Sequence, residues 1–490
     1  MSAPRAAAAR PASRPLVRTI DDIAAWSVRR AQNITFVGPD PHYGIGLEGL
    51  CHGYGIACID ATPAVRMLQR DGVDVLALGA AVAPAAQPVS ADATATTDAD
   101  GDANGHRPAT AVQDGSDGVE RADSAASADG ADGHSASAVI SSARGAAWLR
   151  ARAMADHGRL PLLVFKTSHR LETIAMRNGW RLLCAPAALG RGWENKITFR
   201  ARAEALGLRQ PPGRVVAREA MDYDALAGVL GERLVVQAPY GYAGMQSHRV
   251  DSPAAMAAAL RAARSPEWRV TGYVAGTPLS VNACVTARGV AVGAPFLQLT
   301  GLADITPYPL GSCGQDWAIL PHLDVDAAGV VRMAEVIGGA LAADGYRGIF
   351  GVDAVQGHDG ELYAIEVNPR LIASIALFTQ LEIADGRLPL LARHVLALLD
   401  PDADDAPLDL HRAPLHGAQV VLHNVGTHAF RVRDDVACAA WPLPALGAVS
   451  ALSNAHGPRE TLPPGAGASM ISASPASPAS PASPAIPAYR

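Results

Sequence analysis

Gly351-Val352-Asp353-Ala354-Val355, a polar turn over 356–360, then Glu361-Leu362-Tyr363-Ala364-Ile365-Glu366-Val367-Asn368-Pro369-Arg370: on this stretch the reading of the chain turns. Two apolar runs flank a His-Asp-Gly turn, the pattern of a β-hairpin. Side chains alternate across a strand, so Glu366 and Asn368, two residues apart, project from one face. Asp353 on the partner strand lies across from them. Two carboxylates on one face repel unless a cation sits between them, and the amide oxygen of Asn368 would complete an oxygen-only cage. Such donors suit a hard ion, Mg²⁺ above all, bridging the phosphates of a nucleotide. Arg370, two residues further, points the same way and can hold a phosphate or carboxylate through two parallel N–H bonds. The plain alternative is an acidic hairpin edge, but Glu-x-Asn-Pro-Arg is an odd ending for a merely structural strand.

Outward from this hairpin the chain divides into unlike parts. On its N-terminal side, the spacing predicts a helix over about 326–344 and strands at 268–274, 279–286 and 290–299, with another helix at 388–399 beyond it. Earlier still, a helix near 196–206, strands at 215–216 and 234–237, and a helix at 253–264 surround a Gly/Tyr-rich loop at 238–245. The first part alternates strand and helix: strands at 34–37, 56–59, 73–78, 162–165 and 180–184, with helices at 46–55, 146–156 and 169–178. That alternation predicts an α/β layer. From 84 to 142 the composition falls to Ala, Asp, Ser, Gly and Thr without an aromatic residue, which predicts a disordered insertion. Residues 1–17 read as a disordered Ala/Arg/Pro lead. Residues 401–452 read as a small β-containing extension, and 453–490, with repeated Ser-Pro-Ala, as a disordered tail of polyproline character.

Composition narrows the function. With 490 residues, 49% apolar and 18% charged, the chain can bury a large core. A net charge of −6 without a run of basic residues argues against nucleic acid as a partner. No run approaches the roughly 18 apolar residues of a membrane span, and no secretory signal is visible, so a cytoplasmic protein is expected. The six cysteines form no C-x-x-C pair and read as reduced. No strand runs into G-x-G-x-x-G, which disfavours a dinucleotide dehydrogenase. Of the 41 basic residues only Lys166 and Lys196 are lysine. Where coding bias has replaced exposed Lys by Arg, a surviving Lys points to a site needing a compact ammonium.

Taken in order, these segments resemble the ATP-grasp superfamily, which includes biotin carboxylase and the large subunit of carbamoyl-phosphate synthetase. Glu366-Val367-Asn368-Pro369-Arg370 with Asp353 is similar to its metal-binding end. Glu194-Asn195-Lys196 followed by Gly207-Leu208-Arg209-Gln210-Pro211 is similar to its opening Lys and turn. Val235-Val236-Gln237-Ala238-Pro239 and the loop to Val250 resemble the strand and phosphate-covering loop. Gly272-Tyr273-Val274-Ala275-Gly276-Thr277-Pro278-Leu279-Ser280-Val281 resembles the hinge against adenine. The resemblance covers roughly 160–400. It implies an α/β preceding domain (18–190) and an α+β ATP-grasp domain (191–400) with nucleotide between two lobes. ATP would be held by Lys196, Gln237, Tyr240, Gly241, Gly244, Thr271, Tyr273 and Val274, and Mg²⁺ (or Mn²⁺) by Asp353, Glu366 and Asn368, with Arg370 catalytic. The implied chemistry is activation of a small carboxylate as an acylphosphate and its capture by an amine; a homo-oligomer is compatible with the sequence.

Two positions depart from the family pattern. Gln237 stands where a second ATP-binding Lys is usual, with Arg249 a candidate substitute, and Thr271-Gly272 stand where an acid begins the hinge. They leave two alternatives open: a non-catalytic or regulatory nucleotide-binding protein, and an ATP-dependent carboxylase or kinase of a small molecule. Lys166 has no family role; a structural ion pair and a substrate contact fit it equally. Cys313, without a His or Asn partner, reads as a packed thiol, and His169, His322 and His358 as isolated.

Overall fold

The computed structural model describes residues 16–30, 33–79, 135–241, 244, 246–409, 414–423 and 425, and the backbone of strands at 430–433, 459–462 and 467–472. Among the described residues the strands form three sheets and a separate two-stranded ribbon.

The first sheet is parallel, in the order β3-β2-β1-β4-β5, built from β1 (Thr35–Gly38), β2 (Gly55–Cys58), β3 (Asp74–Ala77), β4 (Pro161–Val164) and β5 (Arg181–Leu183). Every residue of β1, β2 and β4 is buried, as a parallel sheet covered on both faces requires. One face packs on α3 (Ala136–Ser141), α4 (Ala143–Ala155) and α5 (His169–Asn178) through Val139, Leu149 and Leu171. The other meets α1 (Ile20–Arg30) and α2 (Pro63–Arg70) through Ile23, Trp26 and Leu68.

Three sequence expectations fail here. No helix forms over 46–55: a 3-10 turn at Pro41–Gly44 leads into turns, and Gly46 (φ +124°) and Gly53 (φ +68°) hold backbone angles no right-handed helix allows. The segment 84–142 is not wholly unstructured, because its end supplies α3, whose Val139 and Ile140 are fully buried; residues 80–134 lie outside the described part. Val17, placed in the disordered lead, is buried and pairs with 403–405, its N–H donating to the Ala403 carbonyl at 2.8 Å.

α6 (Ala187–Glu194) and α7 (Lys196–Ala205) lead into a four-stranded antiparallel sheet, β6-β9-β7-β8, from β6 (Gly213–Ala217), β7 (Leu234–Gln237), β8 (Ser247–Val250) and β9 (Glu267–Gly272). Val216, Leu234, Val236, Trp268 and Val270 pack against α8 (Tyr223–Leu230) and α9 (Pro253–Ala262). Strand alternation turns Val235, Gln237, Arg269 and Thr271 to the opposite face.

The third sheet comprises β10 (Gly276–Val285), β11 (Val290–Val292), β12 (Phe296–Thr300), β13 (Ser312–Asp316), β14 (Gly348–Gly357), β15 (Leu362–Asn368), β16 (Ala418–His423) and, after the ribbon of β17 (Phe430–Arg433) and β18 (Arg459–Leu462), β19 (Gly467–Ser472). Its order is β15-β14-β10-β12-β13-β16-β19, with β11 paired to β10. α10 (Ala327–Ala343) covers its back with Val330, Ala334, Ile337 and Leu341, the helical apolar stripe. α11 (Ile375–Ala384) and α12 (Leu390–Leu399) join this sheet to the first. The expected single strand over 290–299 is broken at Gly293-Ala294-Pro295, since Pro cannot donate to a ladder. Ser312–Asp316, despite its Gly314, is a strand paired with both β12 and β16. Strands β18 and β19 fall inside 453–490, expected to be disordered; residues 473–490 lie outside the described part.

Candidate functional site

The small sheet and the large sheet face each other across a cavity of about 490 Å³, joined by the hinge residues Tyr273, Val274 and Ala275 between β9 and β10. The hinge is pinned, Tyr273 N–H donating to the Arg233 carbonyl at 2.8 Å. The Tyr273 ring lines the cavity with the guanidinium groups of Arg233 and Arg249 each 5.3 Å from its centre.

On the floor, β14 pairs with β15 so that Asp353 lies opposite Glu366, with a register shift just after Asp353. Asp353 accepts hydrogen bonds from the Ser280 hydroxyl and, at 3.0 Å, from the Asn368 amide nitrogen. That nitrogen also lies 3.5 Å from Glu366 Oε1. The three side chains thus converge, but the amide is turned opposite to the sequence expectation: Oδ1 accepts from Arg370 Nη2 at 2.7 Å, and the nitrogen faces the carboxylates. A donor is what two acids need when no cation lies between them; a cation there requires the amide rotated.

The environments of the two acids differ. Burial first, and then the charge of Glu366, push Asp353 up to about 7. Burial acts in the same direction on Glu366, but Lys196, with Arg370 and Arg269, outweighs it and brings Glu366 down to about 2. Lys196 Nζ sits 2.7 Å from Glu366 Oε2 with only 5% of its side chain exposed. It opens α7, where Asn195 caps the helix by accepting from the N–H groups of Ile197 (2.9 Å) and Thr198 (3.3 Å).

A second chain of charge starts from Glu194, the last residue of α6. Its Oε1 accepts from Arg370 Nε at 3.2 Å and its Oε2 from Lys166 Nζ at 2.7 Å. Burial would raise this carboxyl, but Arg370 and Lys166 hold it below the usual range. Lys166 is therefore an ion-pair residue, and Glu194 and Lys166 fix the guanidinium of Arg370 at the cavity. One polar relay runs Lys166, Glu194, Arg370, Asn368, Asp353 and Glu366, and ends at Lys196.

Of the residues expected to hold ATP, Lys196, Gln237, Gly241, Gly244, Thr271, Tyr273 and Val274 line the cavity, as do Asp353, Glu366, Asn368 and Arg370. Tyr240 does not: its hydroxyl accepts from Asn195 at 3.2 Å and its ring lies under Arg191. Arg249, the candidate substitute for the absent Lys, is exposed and outside the cavity lining, with its guanidinium 5.3 Å from the centre of the Tyr273 ring. Two residues to which the sequence assigned no role belong to the site: Arg269 in its wall and Ser280, within the hinge segment, on Asp353. Among the described residues no three His, Cys, Asp or Glu side chains cluster as a metal centre, so the candidate ion site is two carboxylates with one amide. Cys313 is buried with its thiol pushed up by burial, consistent with packing.

No family model and no curated protein matches the sequence. Among solved structures, biotin carboxylase from Campylobacter jejuni, determined as a β-γ-ATP complex, is similar with a TM-score of 0.51 at 12% identity, over 83% of this chain and 81% of that one. An ADP complex of N5-carboxyaminoimidazole ribonucleotide synthetase gives 0.49 at 14% identity, over 82% and 88%. N5-carboxyaminoimidazole synthase from Aspergillus clavatus, with ADP and 5-aminoimidazole ribonucleotide, gives 0.48 at 15%, over 82% and 84%. The chain has the ATP-grasp fold: a parallel α/β unit followed by two antiparallel lobes around one cavity. No helix of the described residues is long and apolar enough to cross a membrane.

Proposed function

We propose that the protein is an ATP- and Mg²⁺-dependent ligase that activates a small carboxylate as its acylphosphate and joins it to an amine, releasing ADP and phosphate. The observation that carries this reading is the convergence of Asp353, Glu366, Asn368, Lys196 and Arg370 on one wall of a cavity whose other end is the Tyr273–Val274 hinge. Adenine fits against the hinge, and the phosphates then extend towards Lys196 and the loop carrying Gly241 and Gly244. The fold of biotin carboxylase, solved as a β-γ-ATP complex, supports a nucleotide in this cleft.

Mg²⁺ fits the donor set. Asp353, pushed up to about 7 beside an ionised Glu366, is the group whose charge a divalent ion would draw out, and Asp353, Glu366 and a rotated Asn368 would hold the ion. When bound, it neutralises phosphate oxygens as charge builds during transfer. The chain's own groups do the rest. Lys196 offers a point charge to the phosphates. Arg370, fixed by Glu194, holds the attacking carboxylate and then the acylphosphate through directed N–H bonds. The two sheets and the Gly244 loop exclude water that would hydrolyse that intermediate. Beyond Arg370 the cavity is lined by uncharged groups such as Tyr43, Phe296, Gln298, Tyr308 and Gln315, a surface for a small polar substrate.

Gln237 and Thr271, neutral where the fold family carries charge, favour as second reading a binder without catalysis. A screen of amino acids and small acids for phosphate release, with Glu366→Ala as control, separates the two. ADP formation requiring both a carboxylate and an amine supports the ligase. Turnover with the carboxylate alone supports a kinase or carboxylase, and equal release by wild type and Glu366→Ala defeats the site assignment.

A further inference from the structure

The cavity face of the small sheet carries Val235, Gln237, Arg269 and Thr271, and of these only Arg269 is charged; Arg249, across from Val235 on β8, shares the face but is exposed and outside the cavity lining. Arg269 lies directly across the β7–β9 ladder from Gln237, on the same face of the sheet. Gln237 is already engaged, its amide nitrogen donating to the Ser247 hydroxyl at 2.9 Å. Arg269 is 1% exposed. Its Nη1 donates to the Ile365 carbonyl at 2.7 Å, but its Nε is buried with no hydrogen-bond partner.

A buried guanidinium with an idle N–H is best completed by an anion, and among the described residues no carboxylate bonds that Nε directly. Glu366 is the acid that acts on Arg269, and its Oε2 is taken by Lys196 at 2.7 Å. Arg200, one helical turn beyond Lys196, adds further positive charge to the same neighbourhood. Glu366 thus faces three cations, Lys196, Arg370 and Arg269, and burial acts against the charge of Arg269, bringing it down to about 10. An anion entering the cavity would offset this burial cost.

We infer that Arg269 is the second fixed cation for a nucleoside di- or triphosphate, reaching the phosphates from β9 and so taking over the task that the fold family assigns to a lysine at the position of Gln237. The inference rests on the proposed nucleotide site and deepens it. The idle Nε and its neighbouring N–H present the parallel pair that suits a phosphate's oxygens, a geometry a lysine on β7 could not offer.

Calorimetric titration of the full chain with MgATP, MgADP and adenosine tests this. In Arg269→Gln, MgATP and MgADP should bind at least tenfold more weakly than in wild type, while adenosine stays within twofold. If phosphorylated ligands lose less than tenfold, or if adenosine loses as much as they do, Arg269 is only a tie between β9 and Ile365 and the inference falls. If Arg269→Gln does not fold, Gln237→Lys decides. With Arg269 already on the phosphates, the added ammonium should raise MgATP affinity less than tenfold, and a gain of tenfold or more would overturn the inference. A wild type that binds no adenine nucleotide would defeat the nucleotide site itself, an outcome distinct from equal binding by wild type and Arg269→Gln.

Discussion

Replacing Lys196 by Met removes one partner of a nearly buried ion pair and leaves Glu366 beside Asp353 with its nearest counter-charge gone. At 2.7 Å the pair is worth about 6 kcal/mol of attraction at an effective dielectric constant near 20, before the cost of desolvating both groups. Breaking such a pair on one side costs about 3–5 kcal/mol, because the remaining charge stays buried. Lys196→Met should therefore lose stability of this order in urea denaturation followed by tryptophan fluorescence, to which Trp193 on the adjoining helix contributes. Adding Glu366→Gln removes the stranded charge, so the double variant should regain roughly half of the loss. Nucleotide affinity should not return with it: one charge-assisted bond to phosphate, about 1.5–3 kcal/mol, is gone in both variants, a weakening of roughly 10- to 150-fold in MgADP titration. Lys196→Arg keeps the charge but adds bulk to a slot where 5% of the side chain is exposed, and should still weaken MgADP by more than about tenfold. The reasoning is refuted if Lys196→Met binds MgADP within threefold of wild type, or if the two substitutions simply add in stability.

Two further outcomes follow, one from a buried acid away from the cavity and one from the Gly-rich loop. Glu382 is fully buried, one carboxyl oxygen accepting from Leu390 N–H and the other without a partner, and burial pushes it up to about 8 from its ordinary 4.5. Between those values the folded chain holds a proton that the unfolded chain has released, so stability falls as pH rises through about 4.5–8, by a few kcal/mol in order of magnitude; Glu382→Gln should flatten that slope in denaturation at a series of pH values. Gly244 has φ +79°, and a Cβ there would lie 2.6 Å from Gly311 Cα, so Gly244→Ala should push the loop off the large sheet and weaken MgADP about fivefold with little change in the unfolding midpoint. Unchanged affinity would show that the loop does not close the cavity from that side.

Which parts were legible in sequence follows from how local their causes are. The hairpin of β14 and β15 could be read because its apolar alternation and turn are contiguous, and with it the convergence of Asp353, Glu366 and Asn368. The orientation of the Asn368 amide could not, since it depends on contacts to Arg370 on one side and to Asp353 and Glu366 on the other. Ser312–Asp316 hides as a strand because Gly314 and Gln315 have little strand propensity; pairing on both sides, with Leu299 and Val420 across from Gly314, overrides it. Arg269 was hidden by its own periodicity. In Glu267-Trp268-Arg269-Val270-Thr271 the even positions are core and the odd ones look solvent-facing, but β15 and the cavity cover that outer face. Alternation tells two faces apart; it does not tell water from a binding cleft.

The survival of two lysines among 41 basic residues has a geometric reason that the relay makes plain. Glu194 gives one oxygen to Arg370 and the other to Lys166; Glu366 has one oxygen beside the Asn368 amide and the other on Lys196. Each carboxylate thus has a single oxygen left for its lysine. A guanidinium engages a carboxylate best through two parallel N–H bonds and would compete for the oxygen already taken, displacing Arg370 at one end of the relay and Asn368 at the other. An ammonium makes one short contact from any direction and leaves the neighbour in place. Selection for arginine at exposed positions therefore stops at the two places where the partner acid has only one oxygen to offer, and both lie at the ends of the same chain of polar contacts across the cavity.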